Sequence, residues 1–306
     1  MVQFKRPKRT VDGVLFLDKP TGVSSNHALQ VAKRTLRAAK AGHTGTLDPL
    51  ASGLLPLTFG QATKFSHLLL NADKVYETRL QFGIETTTGD AEGSILSQQS
   101  VCLEEAKILD ALTAFRGEIE QIPPMHSALK HAGRPLYEYA REGIELEREV
   151  RHVKILELTP LEIGPDFCQL RVHCSKGTYI RTLGIDIGRT LGCGAHLTQL
   201  RRTGIGEFNL SNAITLETLE KASFPEGTDA LLSPVDTLVQ HFPALKLNAL
   251  DAEWIRQGRV IASTLPHPGI IRLYDAQNNF MGLGENTPNV GVRPVRLCAE
   301  PSSPRA

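Results

Sequence analysis

The chain has 306 residues, 41% hydrophobic and 22% charged, a profile that excludes fibrous and disordered proteins and leaves room for one large domain followed by a smaller one. The formal net charge of +1 argues against a uniformly basic nucleic-acid binder. Distribution matters more, because residues 1–43 hold nine Lys/Arg (Lys5, Arg6, Lys8, Arg9, Lys19, Lys33, Arg34, Arg37, Lys40) against Asp12 and Asp18, leaving the remainder acidic on balance.

No run reaches the roughly 18 consecutive apolar residues of a membrane span, and no hydrophobic leader with a small-residue cleavage site opens the chain. A cytoplasmic protein is expected. The five cysteines, Cys102, Cys168, Cys174, Cys193 and Cys298, are scattered and form no CxxC pair, so they read as buried thiols rather than disulfides or zinc ligands.

In chain order, residues 13–17 (Gly-Val-Leu-Phe-Leu) form an apolar run closed by Asp18-Lys19-Pro20-Thr21-Gly22, a buried strand ending in a turn. A helix follows, with Ser24 or Ser25 as its cap, Leu29, Ala32 and Leu36 on its apolar face, and Lys33, Arg37 and Lys40 on another. That basic face serves either RNA contact or simple solvation. Residues 42–53 are too rich in glycine and turn formers for helix or strand, yet apolar segments flank them, so they read as a loop held by a core.

Leu54–Phe59 then reads as a strand, Ala62–Leu70 as a helix, and Val75–Phe82 as an alternating strand that turns Tyr76 inward with Thr78, Leu80 and Phe82. Residues 84–94 form a polar connection, and Leu103–Phe115 a helix. Pro123-Pro124 opens an excursion over 124–152 that can close over a ligand. Strands at 153–162 and 167–175 precede a helix that begins around Gly177–Arg181 and ends near Gly192 or Gly194, and Leu197–Arg202 is one more strand. Strands and helices without a regular βαβ repeat favour an α+β fold. From about residue 245 a short helix with Trp254 and strands at 269–275, 279–283 and 292–298 suggest a small β-rich module.

Asp48 stands out as a carboxylate in a glycine-framed loop between apolar runs. It reads either as a turn aspartate capping its own backbone or as a functional carboxylate, which in a shielded place needs a cation beside it. Arg181, at the start of a helix, is a candidate for that cation, although an arginine after a turn is also a common surface charge. His43 can be a general base, a group that wedges or stacks against RNA, or a loop histidine without a role. No metal-ligand constellation and no phosphate-cradling glycine loop is present, so neither metal nor cofactor is expected.

The segment Gly42-His43-Thr44-Gly45-Thr46-Leu47-Asp48-Pro49 resembles the signature of the TruB family of tRNA pseudouridine synthases. It is joined in order by residues 13–20, Tyr76, residues 123–130 and Lys176-Gly177-Thr178-Tyr179-Ile180-Arg181. His126 departs from the family pattern, where a tyrosine is common. The resemblance implies a pseudouridine synthase fold: an α+β domain over residues 1–245 with a mixed, mainly antiparallel central sheet and a mobile RNA-contacting insertion over 124–152. A PUA-like RNA-binding domain would follow over 246–306.

It implies further that Asp48 is the nucleophile, Arg181 its ion-pair partner, Tyr76 the ring stacked on the target base, Tyr179 and Leu200 the pocket walls, and His43 a holder of the opened RNA loop. The substrate implied is the uridine at position 55 in the T loop of tRNA. No obligate protein partner and a monomer are expected. Pseudouridine formation breaks the N1–C1′ bond, turns the uracil and rejoins it through C5, so nothing enters or leaves and a protein without a cofactor suffices. A base taken from its stack needs aromatic and apolar walls. Whether Asp48 attacks C1′, adds to C6 or acts as a base at C2′ stays open at this level. Two rivals remain beside this expectation, a non-catalytic tRNA-folding protein and a guide-RNA-dependent synthase.

Overall fold

A computed structural model describes residues 7–263 and 265–299, so Lys5 and Arg6 of the basic cluster lie outside the described residues. Strand β1 (Gly13–Lys19) is buried along nearly its whole length, as a continuous apolar run requires. Helix α1 (Ser25–Thr35) is capped by the Ser24 hydroxyl, which accepts from the His27 N–H. The helix ends at Leu36, and Arg37 takes a left-handed φ of 51°. Arg37 therefore leaves the helical face of Lys33 and lays its guanidinium over the Phe224 ring, 3.9 Å from the centroid. The expected stripe of Lys33, Arg37 and Lys40 is broken by this cap.

Strands β2 (Ala41–His43) and β3 (Ser52–Phe59) bracket the glycine-rich loop. Where one helix was expected over 62–70, a 3-10 turn over Gly60–Lys64 leads into α2 (Ser66–Leu70). Strand β4 (Lys74–Phe82) alternates as expected, burying Lys74, Thr78, Leu80 and Phe82 on the face that also carries the half-buried Tyr76. The polar connection after it holds a small hairpin, β5 (Ile84–Thr86) with β6 (Ile95–Gln98). Helix α3 (Glu105–Thr113) and β7 (Gly117–Gln121) follow. The excursion is structured: β8 (Lys130–His131), β9 (Arg134–Pro135) and α4 (Leu136–Arg141), with Leu136 buried.

The long strands β10 (Arg151–Ile163) and β11 (Phe167–Cys174) precede α5 (Ile180–Thr190) and β12 (Ala195–Ile205). Helix α5 lies close to β12 because Gly188 faces it, where a Cβ would fall 2.3 Å from the Ala195 nitrogen. Short elements β13 (Phe208–Asn209), β14 (Ile214–Thr215), α6 (Leu216–Lys221) and α7 (Glu226–Asp229) complete this part.

A ten-stranded sheet in the order β14-β1-β3-β12-β4-β11-β10-β7, with β2 and β13 attached at β3 and β12, organises the molecule. Its pairings are antiparallel except β1 with β14 and β3 with β12, so the mixed, mainly antiparallel α+β sheet is as expected. The main core sits against it, from Leu15, Leu17, Leu55 and Leu57 to Leu183, Leu197 and Leu200. Strand β15 (Ala244–Lys246), helix α8 (Ala249–Arg256) and strands β16 (Gly269–Tyr274), β17 (Phe280–Thr287) and β18 (Gly291–Leu297) form a second, β-rich unit with a four-stranded sheet and its own core around Ile255, Ile271, Leu273 and Val292. Of the cysteines, Cys168, Cys174 and Cys193 are buried, but Cys102 is exposed in the segment before α3 and Cys298 only half-buried, which corrects the expectation for those two.

Candidate active site

The loop between β2 and β3 is immobilised by its own backbone and by α1. The Thr44 N–H donates to the Pro56 carbonyl at 3.1 Å, and the Gly22 N–H to the Pro49 carbonyl at 2.7 Å. The buried Ser25 hydroxyl both donates to the Leu47 carbonyl, at 2.9 Å, and accepts from the Leu47 N–H, at 2.7 Å. Leu47 itself is inserted into the main core. Asp48, the next residue, is thus carried on a backbone whose polar groups are satisfied and whose neighbour is anchored.

Arg181 reaches this carboxylate from the first turn of α5, with its Nε 2.9 Å from the Asp48 Oδ2. The guanidinium is 5% exposed, so its remaining donors need acceptors. Nη1 donates to the Thr88 carbonyl at 3.0 Å and Nη2 to the His126 carbonyl at 2.7 Å. A second carboxylate, Asp90 Oδ2, lies 3.6 Å from Nε. Asp90 is buried and held by the Thr88 hydroxyl and, at 3.1 Å, by the Glu92 N–H. One guanidinium therefore serves two carboxylates of unequal access: Asp90 is almost wholly buried, while the Asp48 side chain keeps 34% exposure towards the cleft.

That cleft has a volume of about 550 Å³ and is lined by His43, Asp48, Asp90, Glu92, Arg181 and the Tyr137–Arg141 side of the excursion, among others. A larger hollow of about 900 Å³ lies between the excursion and α5, but Asp48, Asp90 and Arg181 are not among its lining residues. Burial and the charge of Arg202 push the His43 imidazole below its ordinary value, favouring its neutral form. Burial first, then the charge of Asp90, pushes the Glu92 carboxyl up, with Asp48 adding to the rise.

The structure brings Asp48, Arg181 and His43 together. Tyr76, Tyr179 and Leu200 stand one layer back, outside the residues that line the cleft. Leu200 belongs to the main core and Tyr76 packs against that core. Tyr179 is the N-cap residue of α5, its N–H donating to Gln121 at 3.0 Å. Asp48 still acts electrostatically on both phenols, whose ionisation burial pushes up. Asp90 and Thr88 were missed at the sequence level because Thr-Thr-Thr-Gly-Asp has the composition of any polar turn. Only its position against α5 distinguishes it. His126 contributes its backbone carbonyl to Arg181, a contact indifferent to the side chain by which it departs from the family pattern.

Residues 33–180 match the model of the TruB family pseudouridylate synthase N-terminal domain, residues 181–240 that of the tRNA pseudouridylate synthase B C-terminal domain, and residues 243–298 that of the pseudouridine synthase II TruB C-terminal region. A protein of Aromatoleum aromaticum named tRNA pseudouridine synthase B is 56% identical over 295 residues, covering 96% of this chain and 95% of that protein. The chain belongs to the TruB family. A member from Pseudomonas aeruginosa with the same name is 51% identical over 301 residues, covering 97% of this chain and 99% of its own. The TruB fold extends to solved ribonucleoprotein structures. A chain of an H/ACA ribonucleoprotein bound to a substrate RNA containing 2′-deoxyuridine superimposes with a TM-score of 0.71 at 25% identity, covering 93% of this chain and 84% of that one. A chain of a Cbf5-Nop10-Gar1 complex gives 0.69 at 27% identity, covering 94% and 84%.

Proposed function

We propose that this TruB-family enzyme isomerises the uridine at position 55 in the T loop of tRNA to pseudouridine, with Asp48 as the nucleophilic carboxylate. One observation carries the reading: a carboxylate on an anchored loop, open to a cleft, is held at 2.9 Å by a buried guanidinium whose other donors are already engaged. Arg181 neutralises and aims Asp48, and the low dielectric around it strengthens that interaction. Once the uracil is detached, the base must turn in place, which calls for walls that grip without bonding. Tyr76, Tyr179 and Leu200 supply such walls when the flipped base presses past the cleft lining, and His43 meets the RNA strand that the base has left.

RNA recognition falls to shape, stacking and phosphate contact. The excursion over 124–152 closes on the bound loop, and the β-rich unit at the C-terminal end contributes a PUA-like RNA surface to a catalytic domain spanning 1–245. The same reading makes the protein a cytoplasmic enzyme that acts as a single chain, which sedimentation of the purified protein with and without tRNA checks. Identity above 50% to tRNA enzymes, against 25–27% to ribonucleoprotein chains, supports tRNA over a guide-RNA-directed substrate. Incubation of the purified protein with unmodified tRNA, followed by mapping of pseudouridine along the sequence, tests it. Modification confined to the T-loop uridine is expected, and product elsewhere or none at all overturns the proposal. Any tRNA-folding role would survive in Asp48→Asn and be read in a tRNA refolding assay.

A further inference from the structure

Arg202 heads the large fully buried side chains among the described residues, at 1% exposure, and it enters the site described above only through its charge on His43. A guanidinium removed from water needs acceptors for its donors. Its Nε donates to the Leu54 carbonyl at 2.9 Å, but Nη2 is buried without a hydrogen-bond partner. Its surroundings do not answer this need. Lys19 and Lys74 are both buried, and the Arg202 charge contributes to holding each ammonium down at about 8, after burial itself. Each is taken up by backbone carbonyls, Lys19 by Pro20 and Val23, Lys74 by Leu69, Leu70 and Ala72.

The side chain set opposite Arg202 is Tyr76. The two are Cα partners across the antiparallel pair of β12 and β4, so their side chains leave the sheet on one face. Burial pushes the Tyr76 phenol up, while Arg202, by its charge and as a hydrogen-bond donor, pulls it back. Two glycines make the space. At Gly53, with φ +103°, a Cβ would fall 2.2 Å from the Arg202 carbonyl oxygen, and at Gly45, in the Asp48 loop, the Arg202 Nη1 lies 3.7 Å from where a Cβ would stand. The guanidinium is thus seated directly beneath the loop that carries the nucleophile.

We infer that Arg202 is a positioning residue for Tyr76: set across from it on the same face of the sheet, its guanidinium holds the phenolic oxygen and fixes the ring at the depth where the target base must stack. The inference rests on the reading that Tyr76 meets the base. A purely structural arginine would serve Leu54 alone, and its loss would be independent of the phenol.

Arg202→Lys keeps the cation and loses the fork, while Tyr76→Phe keeps the ring and loses the oxygen. Turnover on unmodified tRNA is measured for both and for the double variant. Each single change should lower kcat by about ten- to a hundred-fold with KM nearly unchanged, and the double variant should be no worse than the poorer single one. Losses that multiply, or singles with parental kcat, overturn the proposal. Should Arg202→Lys fail to fold, heteronuclear NMR of the arginine side-chain N–H groups reads the bond with Arg202 intact. Exchange protection of the Arg202 Nη protons that disappears in Tyr76→Phe supports it, and unchanged protection overturns it. Tyr76→Leu separates the two layers: retained turnover sinks the stacking role and this inference with it, whereas lost turnover combined with multiplying losses in the cycle sinks this inference alone.

Discussion

Arg181 and Arg202 are almost equally withdrawn from water, at 5% and 1% exposure, yet they sit in opposite electrostatic surroundings. Arg181 has Asp48, Asp90 and two backbone carbonyls around its donors. Arg202 has one carbonyl, two buried lysines and a phenol. Burial alone therefore does not tell what a charge is for. A cation shared between two carboxylates is a device for holding negative charge at an open cleft. One without a carboxylate on its donors is costly and persists where another group depends on it.

The sharpest way to break this contrast is at the carboxylate end. Asp48→Asn should cut turnover by at least about ten-thousand-fold, with tRNA affinity retained in a filter-binding assay. Appreciable turnover in that variant would take Asp48 out of the chemistry. Arg181→Met comes next, because it leaves Asp48 and Asp90 facing each other without their shared cation. Turnover should vanish, and urea unfolding should report a loss of about 3–5 kcal/mol, the usual result of breaking a buried pair from one side. A fully stable variant would mean that the two carboxylates do not depend on Arg181.

At the other pole the expected effect is a slope. Burial lowers Lys74 from 10.5 to about 8 in the folded protein. Between those values the unfolded chain binds the extra proton, so this group adds stability as pH rises through the window and adds nothing further above it. In Lys74→Met that part of the rise should be missing from unfolding free energies measured by urea titration across pH 8 to 10.5. An identical slope would contradict the buried-cation account. The smallest effects belong to the surface. Lys33→Gln with Lys40→Gln should weaken tRNA binding modestly and flatten its salt dependence by about one unit of slope per lost phosphate contact. Arg37→Ala should leave the salt slope alone and cost about 1 kcal/mol of stability, read by urea unfolding, through loss of its stacking on Phe224.

Strand and helix positions came through the sequence where periodicity was strong, as in β1, β4, α5 and the alternation that turns Tyr76 inward. They failed where side-chain chemistry decides locally. The cap at Leu36 and the left-handed Arg37 ended a helix that the charge pattern would have continued. The polar stretch after β4 became a hairpin because its pairing partners lie farther along the chain, from Thr86 with Ile95 to Ile84 with Gln98, with no apolar alternation to announce it. Likewise, Asp48 and Arg181 were legible as a pair only through two motifs set far apart in the chain, and Asp90 was not legible at all.

By itself the sequence determined the family and the candidates for the chemistry. An acid in a glycine-framed loop, an arginine opening a helix and a run of family motifs in order single out those candidates without coordinates. What only the tertiary structure decided is which charges meet. It set Asp90 beside Arg181 and Arg202 beneath Gly45, because electrostatic partnership depends on distance through space, and the sheet order β3-β12-β4 brings together strands that the chain separates.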